Sequence, residues 1–231
     1  MKRKTLGILG GMGPEATADL FFKVVKATPA EKDQEHLRII VDSIPQVPDR
    51  TAAILGRGQD PGPILAAAAR RLESWGAELI VVPCNTAHHY YGAVAGAVDV
   101  PVLHIMREAA RLIAADHPGV RNVGVLASTG TLNTGMYAAS LAELGLDEVV
   151  PSTDSQELVM KAIYGVKAGD RAEPGRLLAA VAAEMVDRGA QAIIAGCTEV
   201  PIALAPGEVS VPYIDATLAL ARAAVRVAQG G

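Results

Sequence analysis

The chain has 231 residues, half of them hydrophobic, with a net charge of −4 and a sequence pI near 5.7. That length buries a sizeable core, as one large domain or two small ones. Scattered Lys and Arg on an acidic chain exclude a nucleic-acid surface, and no apolar run approaches the length of a membrane span.

The N-terminus "MKRKTLGILGGMG" has a basic start, but its apolar run is short and broken by glycines. It reads as the first strand of the fold, not a leader. Taken in chain order, "TLGILG" (5–10), "LRIIVDS" (37–43), "AELIVVP" (77–83) and "VPVLHI" (100–105) read as strands. So do "NVGVLAS" (122–128), "DEVVP" (147–151), "QAIIAG" (191–196) and "VPYID" (211–215). Between them lie stretches such as "PILAAAARRLESWG" (63–76), with apolar residues at helical spacing and a glycine after the last turn. Uniformly apolar strands alternating with helices predict an α/β fold with parallel sheets covered on both faces.

An internal repeat sharpens this expectation. "TLGILGGMG" (5–13) aligns with "NVGVLASTG" (122–130), "GAELIVVPC" (76–84) with "GAQAIIAGC" (189–197), and Val100-Pro101 with Val211-Pro212. Three matches in one order imply two halves of one ancestral unit, split near residue 117. Two pseudo-symmetric lobes are expected: residues 1–101 plus 210–231, carrying Cys84, and residues 102–209, carrying Cys197. Each lobe is a parallel sheet flanked by helices, and the active site is expected in the cleft between them.

Cys84 and Cys197 are the only cysteines, 113 positions apart, with no CxxC pair. A disulfide scaffold or cysteine-rich zinc site is therefore not expected, and a cytoplasmic setting with reduced thiols is. Each cysteine ends an apolar strand, where ligands bind in open parallel sheets. Alone, each would be a core residue; the shared register and the polar successors Asn85, Thr86 and Thr198 argue for chemistry. Those successors could cap the following helix, hold a thiolate or bind a carboxylate. The turns "GGMGP" (10–14) and "STGT" (128–131) offer further donors. Two thiols placed symmetrically suit racemisation, in which one base removes a proton from one face and a conjugate acid returns one on the other.

Other readings are weaker. "GMGPEA" (11–16) matches a dinucleotide fingerprint, but its acidic residue, Asp42, lies 29 positions beyond Gly13 where about 20 are needed. His88 and His89 have too few ligands in register for a metal. Nothing resembles a pyridoxal-phosphate site.

The stretches "LGILGGMGPEAT", "PQVPDRTAAIL", "PCNTAHH", "YGVKAGD" and "AGCTEVP" together resemble the aspartate racemases of the aspartate/glutamate racemase superfamily. The likeness covers essentially the whole chain. It implies a cofactor-independent two-base racemase, two α/β lobes and a homodimer, with no metal and no cofactor. By position, Cys84 and Cys197 correspond to the catalytic thiols. Asn85, Thr86, Thr129, Thr131 and Thr198 correspond to residues around the substrate's carboxylate and amino group, and Met12, Gly13 and Gly130 join them as substrate-binding candidates from the two donor-rich turns. Arg50 and Lys167 correspond to basic residues linked to the acidic side chain and to charge stabilisation. Glu199 either orients Cys197 or favours the N-terminus of the following helix, and His88 takes a helix-surface position or one supporting the thiol from behind. Glutamate racemases carry Asp-Ser-Gly where this chain has Gly10-Gly11-Met12, and usually His where it has Glu199, so both departures favour aspartate. The expected reaction is interconversion of L- and D-aspartate. The alternatives are a racemase for glutamate or another amino acid, a maleate-type cis–trans isomerase, a dicarboxylate-binding protein without chemistry, and a thiol redox sensor.

Overall fold

The computed structural model describes residues 3–230. In chain order the elements are β1 (Leu6–Gly10), α1 (Pro14–Ala27), β2 (Ile39–Ser43), α2 (Arg50–Ile54), α3 (Gly62–Ser74), β3 (Leu79–Val81) and α4 (Tyr91–Ala95). There follow α5 (Ile105–Asp116), β4 (Asn122–Leu126), α6 (Thr129–Asn133), α7 (Met136–Ala142), β5 (Asp147–Val149), α8 (Thr153–Lys167) and α9 (Ala172–Asp187). The last are β6 (Ala192–Ala195), α10 (Val200–Ala203), β7 (Tyr213–Asp215) and α11 (Ala216–Ala228). Short 3-10 turns lie at Asp33–Glu35, Thr86–Tyr90 and Pro206–Glu208.

The chain divides into two compact units. One comprises the described residues up to Ile105 and those from Thr217 on; the other is Met106–Ala216. The expected lobe ends at Met1, Lys2 and Gly231 lie outside the described residues. The divisions fall at the starts of α5 and α11, because β7 is hydrogen-bonded to β6 and stays with the second sheet.

In the first unit a parallel sheet runs β2-β1-β3; in the second a parallel sheet runs β5-β4-β6-β7. Strands β1, β3 and β6 are apolar because both of their faces are covered: all three are buried at every residue, whereas β2 is only partly so.

The repeat is visible bond for bond. The Ile80 N–H donates to the Pro101 carbonyl at 2.9 Å, and the Ile193 N–H to the Pro212 carbonyl at 2.8 Å. Where β7 pairs with β6, however, the first sheet has only a single bridge, Ile80 to Val102. The run 100–105, expected as a strand, turns into α5 at Ile105 before it can pair further.

Helices follow the predicted 3.6-residue stripes. α3 buries Leu65, Ala68, Ala69 and Leu72, and α9 buries Leu178, Val181, Ala182 and Met185, each at i, i+3, i+4 and i+7. These stripes, with sheet residues such as Ile80 and Ile193, build an apolar cluster in each unit. Each cluster reaches as far as a cysteine, Cys84 in the first and Cys197 in the second.

Candidate functional site

Both cysteines are free and buried, 6% and 8% exposed. Each follows the third strand of its own unit at the carboxyl end of the sheet, beyond β3 and β6 respectively.

In the first unit the β1–α1 turn is shaped by Gly11, whose φ of +96° places it in the region that favours glycine. A Cβ there would stand 2.3 Å from the Ile44 backbone. Thr17 braces the turn from α1: its hydroxyl accepts the Gly11 N–H at 2.8 Å and donates to the Gly13 carbonyl at 2.9 Å. Gly13 precedes α1, with Pro14 in its first turn, as expected of a helix start. Met12 is buried in the same apolar cluster as Cys84. Asp42, which a nucleotide site would require, is instead held by Arg71 at 2.8 Å.

After β3 the chain folds tightly, the Cys84 N–H donating to the Val82 carbonyl at 2.8 Å, and Thr86–Tyr90 forms a 3-10 turn with Asn85, Thr86 and His88 buried. His88 fastens this turn. Its Nε2 accepts the Ile105 N–H at 3.1 Å, which leaves the proton on Nδ1 to donate to the Cys84 carbonyl at 2.9 Å. Burial lowers its pKa to about 4, only partly offset by its backbone hydrogen bonds. A neutral imidazole thus bridges the Cys84 turn and the start of α5.

Arg50 opens α2, whose N-cap is the Asp49 carboxylate accepting the Ala52 N–H at 2.7 Å. Its Nη1 donates to the carbonyls of Val47 and Pro48 at 3.1 and 3.0 Å, while its Nε is buried without a hydrogen-bond partner. A guanidinium anchored at one end with a buried donor unspent is suited to take an oxygen acceptor.

In the second unit Thr198, Glu199 and Lys167 gather at Cys197. Its thiol donates to Glu199 Oε2 at 2.9 Å, and the Thr198 hydroxyl reaches the same oxygen at 3.3 Å. Lys167, the last residue of α8, sets Nζ 4.0 Å from Glu199 Oε1. Burial, then the Glu199 charge and its hydrogen bond, push the Cys197 thiol pKa well up; Lys167 and the Glu199 N–H pull it down. A carboxylate beside a thiol therefore both disfavours the thiolate and offers a place for the thiol proton. Gly196 leaves room for Tyr137: a Cβ there would meet the edge of that buried ring at 2.9 Å.

The three residues after Ser128 do not share one role. Ser128 caps α6, its Oγ accepting the Thr131 N–H at 3.3 Å and lying 3.0 Å from the Thr131 hydroxyl. Thr131 and Gly130 are buried. Thr129 is turned to α8: its N–H points at the Met160 sulfur at 3.2 Å, and its hydroxyl accepts from Gln156 Nε2 at 3.2 Å. Gln156 also donates to the Ala127 carbonyl at 3.0 Å. Sequence reasoning missed Thr17, Gln156 and Met160. Thr17 carried a local signal, one helical turn beyond Gly13; Gln156 and Met160 carried none, being ordinary helix residues about 30 positions from the turn they hold.

Comparison with known proteins decides the family. Residues 9–224 match the model described as Asp/Glu/Hydantoin racemase. The chain belongs to that family. It is 30% identical over 224 residues to the broad-specificity amino-acid racemase RacX of Bacillus subtilis (strain 168), covering 95% of this chain and 96% of that one. Its fold matches the Picrophilus torridus aspartate racemase with a TM-score of 0.88 at 30% identity, over 98% of this chain and 94% of the other. A second match is an aspartate racemase homologue from Pyrococcus horikoshii OT3, with a TM-score of 0.78 at 28% identity over 99% and 100% of the two chains. The two-lobed α/β architecture is thus that of racemases. Among the described residues, no helix is long and apolar enough to cross a membrane.

Proposed function

We propose that this member of the racemase family interconverts L- and D-aspartate without a cofactor, using Cys84 and Cys197 as the two bases. The observation that carries the reading is the placement of a free thiol beyond the equivalent strand of each sheet, β3 and β6. One thiolate takes the α-proton. The electron pair is delocalised into the α-carboxylate, and the other thiol returns a proton to the opposite face, inverting the centre. Thiolate and thiol then stand exchanged, ready for the reverse reaction. Each group must act as both acid and base near neutral pH, which a thiol does once its charge is balanced.

The supporting residues divide by chemistry. Glu199 receives the Cys197 proton in the half of the cycle that needs that thiolate, and Lys167 holds the carboxylate and offsets its charge. Arg50, with its unspent Nε, takes the side-chain carboxylate of aspartate, a group for which a planar guanidinium is suited. The neighbour named an aspartate racemase favours this substrate; the relative named a broad-specificity racemase favours a looser selection of side chains.

The test uses reduced protein with no added cofactor, incubated with L-aspartate in D₂O. Proton NMR follows loss of the α-hydrogen, and chiral chromatography follows D-aspartate. Both are expected, and Cys84→Ser and Cys197→Ser should each lower racemisation by about 10²–10⁴-fold, the usual worth of a positioned acid–base group. An intact α-proton in the wild type rejects aspartate and directs the same assay to glutamate and other amino acids. Ligand affinity that survives both substitutions, with no exchange for any amino acid, would leave a binding protein instead.

A further inference from the structure

On the second unit, away from Cys197, a pocket of about 600 Å³ opens beyond the carboxyl ends of β4 and β5. That volume falls within the range of small-molecule sites. β4 lies between β5 and β6, so the Ala127–Thr129 turn separates this pocket from the cysteine that follows β6. Neither Cys197, Thr198, Glu199 nor Lys167 lines it.

Its walls are of two kinds. Leu132, Val150, Pro151 and Met160 supply an apolar floor. Thr129, Gln156 and Glu157 supply polar groups whose hydrogen-bonding capacity is incompletely used. Gln156 spends its NH₂ on Ala127 and Thr129, but its Oε1 is buried without a partner. The Thr129 N–H ends on a thioether, a weak acceptor. Glu157 is exposed at the rim. The wall thus combines acceptors for a cationic N–H group, a backbone donor poorly matched to sulfur, and an apolar surface beside them.

We propose that this pocket binds an α-amino acid with an apolar side chain, as a ligand separate from the substrate. Its ammonium lies toward Glu157 and the Gln156 carbonyl. Its carboxylate takes the Thr129 N–H in place of the Met160 sulfur. Its side chain covers Leu132, Val150 and Pro151. Aspartate fits poorly, because its second carboxylate would fall on the apolar floor or against Glu157. Occupancy acts on the same amide that holds the Ala127–Thr129 turn, so the pocket is placed to adjust that turn.

The full chain would be titrated with L-phenylalanine and with L-leucine, followed by saturation-transfer NMR. Saturable binding of at least one is expected. Glu157→Gln should weaken it about tenfold, the value of one charge-assisted hydrogen bond, and Val150→Arg should abolish it. Both positions are solvent-exposed, and thermal melts verify that the variants remain folded. Binding that persists in Val150→Arg, or that aspartate displaces at equal concentration, would place the probe elsewhere and overturn the proposal. So would the absence of saturable binding by either probe. Because binding is read directly, these outcomes stand whether or not aspartate exchanges its α-proton.

Discussion

Acidification should loosen the Cys84 turn through a single group. His88 is fully buried and neutral, with its pKa lowered from 6.5 to about 4. Protonation would put a second N–H on Nε2, against the Ile105 N–H that this nitrogen now accepts. The folded pKa lies below the unfolded one, so the unfolded chain binds the proton more readily. The neutral ring's contribution is therefore fully present above pH 6.5 and is lost as the pH falls toward 4. At ~1.4 kcal/mol per pKa unit the whole shift is worth about 3 kcal/mol, of which about 2 kcal/mol disappears between pH 7 and pH 5. Urea unfolding of the wild type and of His88→Gln across that range isolates the effect, because every other titrating group is common to both. The wild type should lose about 2 kcal/mol more than the variant. Parallel stability curves would refute the assignment of a neutral, doubly bonded imidazole. So would a His88 ring that titrates near 6.5 by NMR.

Three further outcomes follow from local geometry. In a Cys84→Ser background, Glu199→Gln removes the charge that holds Cys197 as a thiol and leaves only a weaker, neutral acceptor for its S–H. The pH midpoint for its alkylation, read by peptide mass spectrometry, should fall by about 1–2 units, and a rise would contradict the arrangement. Gly11→Ala forces a Cβ onto the Ile44 backbone at positive φ, and chemical denaturation should show a loss of more than about 3 kcal/mol. Thr17→Val leaves the buried Gly11 N–H without its acceptor; the same assay should register about 1–3 kcal/mol, and no loss would mean the hydroxyl is not bracing the turn.

The sequence by itself determined the class of fold and the positions of the thiols, because both are written in short-range patterns. Uniformly apolar runs mark strands covered on two faces, and the i, i+3, i+4, i+7 stripes of α3 and α9 mark helices with one buried side. The repeated Gly-Ala and Val-Pro steps recur as repeated hydrogen bonds, and the repeat in the sequence alone places the two cysteines at equivalent strand ends. The run 100–105 is instructive in the other direction. Its apolar composition is that of a strand, yet only Val102 bridges to Ile80 before Ile105 starts α5. What tertiary structure alone decided is where polar side chains spend their hydrogen bonds. His88 reaches Ile105 across 17 positions, and Gln156 reaches Thr129 across 27. Lys167 at the end of α8 meets Glu199 in the turn before α10, and Thr129 turns to α8 and its pocket. Periodicity reports only which face of an element is apolar. The partner of a buried polar group is set by whichever distant element packs above it, and that choice is made only when the chain closes on itself.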